Sequence, residues 1–129
     1  MEPSARAVEL LRGPTGGILR ATLQPTERLT HAVLGIGCTI LLTTGRLLVL
    51  RDGATFRPKS GVREWAIEES LEVQPGLVRH GSGSLVIRNG RDVASVFVPT
   101  GEWAAALQLV GALRTRVRRI AASHPPGDP

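Results

Sequence analysis

Residues 85–122 decide the fold class; they read LVIRNGRDVASVFVPTGEWAAALQLVGALRTRVRRIAA. The first half contains two runs rich in β-branched residues on either side of Asn89-Gly90, a dipeptide typical of tight hairpin turns. The second half, 100–122, places apolar residues three or four positions apart, as an amphipathic helix requires. The stretch therefore predicts an antiparallel hairpin followed by one helix.

The register of this hairpin depends on the length of its loop. A two-residue loop would place Arg88 opposite Arg91, and like charges in directly opposite positions are destabilising. A three-residue loop with Gly90 in the left-handed conformation pairs Leu85 with Val93 instead. We therefore expect the three-residue loop.

The predicted helix has signals at both of its ends. Thr100 is a candidate N-cap, Glu102 lies near the positive end of the helix dipole, and arginines lie near the negative end. An apolar stripe at helical spacing should close one end of the β structure. The stripe consists of Trp103, Leu107, Val110, Leu113 and Val117, with Ile120 at its edge.

Upstream of the hairpin, turn signals recur about every eight to twelve residues, as in all-β sandwiches and barrels. The candidate strands are 29–34, 38–43, 47–51, 63–68 and a run from 71 towards 80 that is irregular at Pro75-Gly76. Strands followed by a single helix, without βαβ alternation, argue against a parallel sheet. We therefore predict a mainly β fold, a partly open barrel of about seven antiparallel strands capped by one C-terminal amphipathic helix.

The chain divides into three parts at its turn-rich stretches. Residues 1–24 form an N-terminal extension, in which 4–12 could form a short helix capped by Ser4. The domain itself is expected at 25–122, and 123–129 is expected to be a disordered tail. The apolar run at 32–50 is interrupted by Arg46 and by glycines, so it suits buried strands better than a helix in lipid.

The charge of the chain is basic, but its composition explains much of that basicity. The net charge is +5, and Lys59 is the only lysine, so almost every cation is an arginine. A pI of about 11.2 follows directly, because a guanidinium does not lose its proton. The chain has two Trp, two Phe and no Tyr, which leaves few aromatic rings for base stacking. Nucleic-acid binding is therefore not expected, and the core must be aliphatic.

Several local patterns together resemble the pleckstrin-homology-like (PH-like) superfamily, in its short bacterial form. They are the lead-in Pro25-Thr26-Glu27-Arg28, the run LLTTGRLLV at 41–49, WAI at 65–67, GSLVI at 83–87 and a final helix bearing Trp103. The resemblance covers about residues 25–117. It implies two nearly orthogonal antiparallel sheets of four and three strands, with the helix plugging one open corner and its Trp packing onto the barrel.

The resemblance implies a binding role, since this superfold carries phosphoinositide, peptide and protein sites on different surfaces. Phosphoinositide-binding members use a basic loop between the first two strands. The matching turn here, Gly35-Ile36-Gly37, is short and uncharged, which argues against a lipid headgroup at that position.

No motif in the sequence specifies a reaction or a cofactor. The histidines, His31, His80 and His124, are far apart and lack other residues at metal-ligand spacing. Cys38 is the only cysteine and lies in an apolar run, where a thiol usually packs as a small hydrophobe. We therefore predict no catalytic residue, no metal site and no cofactor.

Two basic clusters are the candidate sites for a partner or an anion. They are Arg51, Arg57, Lys59 and Arg63 around the loop 52–61, and Arg114, Arg116, Arg118 and Arg119 on the last turns of the helix. Arg114 and Arg118 are one helical turn apart on a shared face and could bind phosphates or acidic side chains.

These observations favour a non-catalytic interaction or scaffold module that binds a protein partner, either at a sheet edge or at the basic loop. The first alternative is peripheral attachment to an anionic membrane through the arginine clusters. The second alternative is a small split-barrel flavin-binding enzyme, which would be yellow when purified. Apolar strands and the segment 5–11 could also pair two copies across a two-fold axis. The N-terminus lacks the pattern of a secretory signal, so we expect a cytoplasmic location.

Overall fold

The computed structural model describes residues 23–51 and 61–123. The helix predicted at 4–12, the loop positions Arg57 and Lys59, and residues 124–129 of the tail predicted at 123–129 lie outside the described residues. The elements are β1 (Leu29–Gly35), β2 (Cys38–Thr43), β3 (Arg46–Arg51), β4 (Val62–Ala66), β5 (Leu71–Arg79), β6 (Ser82–Asn89), β7 (Asp92–Pro99), a 3-10 turn (Thr100–Glu102) and α1 (Trp103–Ala122).

The strands form two antiparallel sheets. The first sheet has the order β1-β2-β3-β4, and the second has the order β5-β6-β7. Within each sheet, every strand pairs with its neighbour in sequence, and two-residue turns such as Thr44-Gly45 join four of the five pairs. The mainly β architecture and the division into four and three strands confirm the predicted fold class.

The hairpin between β6 and β7 corrects the predicted register. Asn89 pairs with Asp92 and Leu85 pairs with Val96, so the loop has two residues and not three. Gly90 has a φ of 62°, which confirms the left-handed conformation expected of it. The turn starts at Gly90 itself, a position that tight hairpin turns favour for glycine.

The side chain of Asn89 explains why β6 extends one residue further than expected. Its amide nitrogen donates to the carboxylate of Glu68 at 2.5 Å, and its amide oxygen accepts from the hydroxyl of Ser70 at 2.6 Å. These partners lie in the connection between β4 and β5, so Asn89 is held in the strand. Arg91 then falls in the turn, and Arg88 faces Val93 and not another arginine.

The main core lies between the two sheets and α1 and consists almost entirely of aliphatic side chains, together with the indole of Trp65. Leu42 and Leu47 of the first sheet, Leu85 of the second and Leu109 of the helix are fully buried in it. Cys38 is buried as well, which confirms its predicted packing role.

The start of α1 differs from the prediction. Thr100 does not cap the helix, because the chain first makes a 3-10 turn and neither helix start has a side-chain cap. Glu102 instead reaches across to the first sheet, where its carboxylate accepts the N–H of Leu34 at 3.0 Å. This bond ties the beginning of the helix to β1.

The buried face of α1 confirms the predicted stripe at Trp103, Val110, Leu113 and Val117 but corrects it at Leu107. Ala106 and Leu109 are buried together with Val110 and Leu113, whereas Leu107 is 45% exposed. Ala106 is fully buried, so the helix faces the core through a small side chain at this position. The predicted stripe counted only large apolar side chains, so it included Leu107 in place of Ala106.

Trp103 confirms the packing that the PH-like resemblance implied. A Cβ built on Gly83 of β6 would lie 2.5 Å from the six-membered ring of Trp103. The indole therefore lies directly on the strand backbone, and only glycine leaves room for it.

A buried ion pair fixes the chain where it enters β1. Both carboxylate oxygens of Glu27 accept from the guanidinium of Arg46, at 2.5 and 2.8 Å, and one also accepts from the Thr43 hydroxyl. The Glu27 side chain is only 5% exposed. Hydrogen bonding to Arg46 lowers the pKa of Glu27 to about 2, against the opposing effect of burial.

Candidate functional site

The four helix arginines do not form one patch. Arg114 and Arg118 line a groove between α1 and β5. Arg116 and Arg119 lie on the other side of the helix, beside the β2–β3 turn. The helix therefore presents two separate pairs, and the shared face predicted for Arg114 and Arg118 is the one that borders a groove.

The groove between α1 and β5 has a volume of about 250 Å³. Leu71, Val73 and Leu113 form its apolar floor and are buried, and Val117 packs beside them. Its rim is charged on both sides, with Arg114 and Arg118 on the helix and Glu69 and Glu72 on or next to the strand. Such a groove combines an apolar floor with a polar rim, as binding sites for protein segments do.

The strand that borders the groove is the edge of its sheet. Within the described ranges, β5 pairs with β6 on one side and with no strand on the other. The carbonyl of Val73 points to the open side, where a nitrogen of Arg114 approaches it at 3.4 Å, a long hydrogen bond. Pro75 lies two positions further along, so its missing N–H also faces the open side and removes no bond to β6.

Arg116 has a structural role. Its guanidinium donates to the carbonyl oxygen of Thr43 and, at 2.9 Å, to the hydroxyl of Thr30. Burial is the main reason why the pKa of Arg116 is lowered, and the nearby charge of Arg119 adds to the effect. This residue joins the C-terminal half of α1 to β1 and β2, so it is not part of an open anion site.

His31 contacts the same Thr30 hydroxyl as Arg116 does. Its Nδ1 lies 3.1 Å from the Thr30 hydroxyl. Burial lowers the pKa of His31, and the charge of Arg116 lowers it further. Because Thr30 already donates to the carbonyl of Leu42, Nδ1 must carry the proton in this contact. His31 is therefore a packed, neutral structural residue at pH 7.

The first basic cluster is represented by Arg51 and Arg63, which line a second cleft of about 180 Å³ beside the β1–β2 turn and β7. Arg63 is committed to neighbours: its guanidinium lies 4.9 Å above the ring of Trp65 and 2.6 Å from a carboxylate oxygen of Asp92. Arg51 is exposed at the end of β3. Only Arg51 of this pair is therefore well placed to meet a partner.

The same contacts tie the two sheets together. The indole N–H of Trp65 donates to the other oxygen of Asp92 at 2.8 Å. Trp65 lies on β4 and Asp92 begins β7, so this bond links the two sheets, between which the described ranges contain no strand pairing.

The acidic side of the groove rim, Glu69 and Glu72, is not among the candidate site residues that the sequence predicts. The available signal was Pro75, because proline inside a strand predicts an open edge. Over residues 23–51 and 61–123, no group of three or more His, Cys, Asp or Glu could hold a metal ion. No helix in those ranges has both the length and the hydropathy needed to cross a bilayer.

The architecture is similar to that of a known domain. The crystal structure of a pleckstrin homology domain from Shewanella amazonensis SB2B matches with a TM-score of 0.50 and 15% identity, over 86% of this chain and 98% of that chain. No protein-family model matches the chain, and no curated protein does so either. At this identity the likeness concerns the fold alone. The chain therefore has a PH-like fold, and its function must be argued from its own surfaces.

Proposed function

We propose that the chain is a non-catalytic interaction module that binds an extended segment of a protein partner in the groove between β5 and α1. The observation that carries this proposal is the coincidence of an open strand edge with an apolar, charge-rimmed groove. A bound segment would extend the second sheet by one strand and place alternate side chains against the helix.

The edge of β5 supports this mode of binding through its backbone. In an extended strand, the N–H and the carbonyl of one residue point to the same side, so both polar groups of Val73 face the open edge. Arg114 holds that carbonyl only loosely, at 3.4 Å, so an incoming N–H can replace it. Main-chain bonds of this kind supply affinity, whereas the groove supplies specificity.

The rim of the groove supports a mixed-charge partner. Arg114 and Arg118 on one side favour an acidic side chain, and Glu69 and Glu72 on the other favour a basic one. The apolar floor favours at least one aliphatic or aromatic residue between them.

A random peptide library displayed on phage tests this proposal against the purified chain. We expect enriched peptides with an apolar residue flanked by charges, and we expect Arg118→Glu to weaken their binding about tenfold or more. Arg119→Glu is the matched control, since it makes the same charge change one residue away on the other side of the helix. Failure to enrich any peptide, or equal losses in both variants, would contradict the proposal.

A second candidate function is attachment to an anionic membrane, and one observation favours it. Ile36 and Phe97 are 59% and 54% exposed, and a backbone hydrogen bond of 2.8 Å between them brings their side chains close to Arg51. Apolar side chains next to a cation suit a membrane surface, to which each basic residue contributes about 1 kcal/mol. Flotation with neutral and anionic vesicles distinguishes the two candidates, because Arg51→Gln should reduce vesicle binding and leave peptide binding unchanged.

A further inference from the structure

The helix α1 runs along β5 in the opposite direction. Trp103, at the start of α1, lies on Gly83, which pairs with Val78 near the end of β5. Ile120, near the end of α1, lines a pocket together with Ile67, which precedes β5. Successive turns of the helix therefore lie beside successive positions of the strand, in reverse order.

The two arginines of the groove follow this order. Arg114 lies beside Val73, whose carbonyl it approaches at 3.4 Å. Arg118 is one turn further along α1, so it lies nearer the start of β5, where Leu71 lines the same groove. Four helical residues rise about 6 Å, and two residues of an extended strand rise about 6.8 Å. The arginines are therefore spaced as alternate residues of a strand are.

The charges beside the groove are sorted by the two faces of β5. Leu71 and Val73 are buried on the face that packs against α1, whereas Glu72 between them is exposed on the opposite face. On that face Glu72 lies opposite Arg88 of β6. A strand added at the edge of β5 would therefore meet arginines on one face and a carboxylate on the other.

We propose that the partner segment carries an acidic, a basic and an acidic residue in succession, opposite Val73, Glu72 and Leu71. The inference rests on the proposed function, since it specifies the segment that pairs with this edge. Side chains of an added strand alternate in step with those of β5, so the two acidic residues face α1 and the basic residue faces away from it. The order is symmetric and holds for either direction of the segment.

Each acidic residue meets one arginine. An incoming N–H at Val73 replaces Arg114 at that carbonyl, and the guanidinium can then bind a carboxylate, a stronger acceptor than a neutral carbonyl. The acidic residue opposite Leu71 lies beside Arg118 in the same way. The apolar stems of both side chains would cover Leu113 and Val117 at the floor of the groove.

The basic residue continues an alternation of charge across the exposed face of the sheet. Arg88 on β6 and Glu72 on β5 lie opposite each other, and the next strand outward would present a cation. Opposite charges in directly opposite positions of neighbouring strands are stabilising, whereas an acidic residue at this position would face the like charge of Glu72.

Fluorescence anisotropy with two labelled peptides of identical composition tests this inference. The peptide TVTEKETVT has the proposed order, with both valines on the same face as the two glutamates. The peptide TVTEEKTVT moves the lysine by one position, so that one glutamate and the lysine exchange faces. We expect the first peptide to bind about tenfold or more tightly than the second.

Three single variants of exposed residues locate the source of this preference. Arg118→Gln and Glu72→Gln should each reduce the ratio of the two affinities about threefold or more, because each removes a charge that distinguishes the peptides. Arg119→Gln, on the other side of the helix, should leave the ratio unchanged. Circular dichroism checks the fold of each variant.

Equal affinities of the two peptides would overturn the inference, as would an unchanged ratio in Arg118→Gln or Glu72→Gln. If neither peptide binds while the phage library yields binders with another order of charges, the inference is wrong and the proposed function stands. If the library yields no binder either, both are wrong.

Discussion

The buried pair of Glu27 and Arg46 gives the sharpest prediction about stability. The pKa of Glu27 falls from an ordinary value of 4.5 to about 2 in the folded chain, chiefly because Arg46 donates two hydrogen bonds to it. A fall of this size corresponds to about 3 kcal/mol of folding free energy. We expect Glu27→Gln to lower the free energy of unfolding by about 2–3 kcal/mol at pH 7.

The direction of the pKa change determines how the contribution of Glu27 to stability varies with pH. Because folding lowers the pKa of Glu27, its contribution is fully present above pH 4.5 and is lost as the pH falls through about 2. The difference in unfolding free energy between the parent and Glu27→Gln should therefore shrink steadily over that range. Urea denaturation at a series of pH values measures it.

Glu64, a second carboxylate that pairs with Arg46, provides the control. Glu64 also pairs with Arg46, but its side chain is 58% exposed, and exposed ion pairs contribute little. We expect Glu64→Gln to change the stability by less than about 0.5 kcal/mol. A difference between the parent and Glu27→Gln that stays constant from pH 5 to 2 would refute the reasoning, because the carboxylate charge would then not be its source.

Three further predictions concern packing, and thermal or urea unfolding checks each of them. Asp92→Ala should destabilise the chain by about 1–3 kcal/mol, because it leaves the indole N–H of Trp65 without its acceptor. An unchanged stability would contradict the role given to this bond between the two sheets. Gly83→Ala should cost about 1–3 kcal/mol and shift the emission of Trp103, since the added methyl meets that ring; an unchanged spectrum would count against this contact. Leu109→Ala should lower the free energy of unfolding by about 2–5 kcal/mol, and Leu107→Ala by less than about 0.5 kcal/mol. The reverse order would mean that Leu107 faces the core, as the sequence predicts.

The elements of the fold could be predicted from local signals. Glycines at turns, alternation along the strands and one long amphipathic segment are all properties of neighbouring residues. For example, Gly37 and Gly90 both have positive φ, and both lie in turns that the sequence marks. The order of strands and helix then limits the architecture to an antiparallel barrel with a helical cap.

Long-range contacts account for the errors. The register of the last hairpin depends on bonds from Asn89 to Glu68 and Ser70, which are about twenty positions away along the chain. The face of α1 that meets the core includes the small side chain of Ala106, which a pattern of large apolar residues does not mark. Neither effect appears in the periodicity of a single segment.

The candidate site was predictable only in part. The pair Arg114 and Arg118 was identified on one helix face, and that face does border the groove. The role of Arg116 was not predictable, because its partners Thr30 and Thr43 lie more than seventy positions earlier in the chain. Identical residue types on one helix therefore have different surroundings, which only the packing of that helix reveals.

Amide hydrogen exchange on a complex with a selected peptide tests whether a partner segment pairs with the open edge of β5. The proposal predicts that the amide of Val73 becomes protected when the peptide binds, while the amide of Val86 in the central strand of that sheet does not change. Unchanged exchange at Val73, with new protection around Ile36 and Phe97, would contradict the claim and place the binding surface at the other cleft.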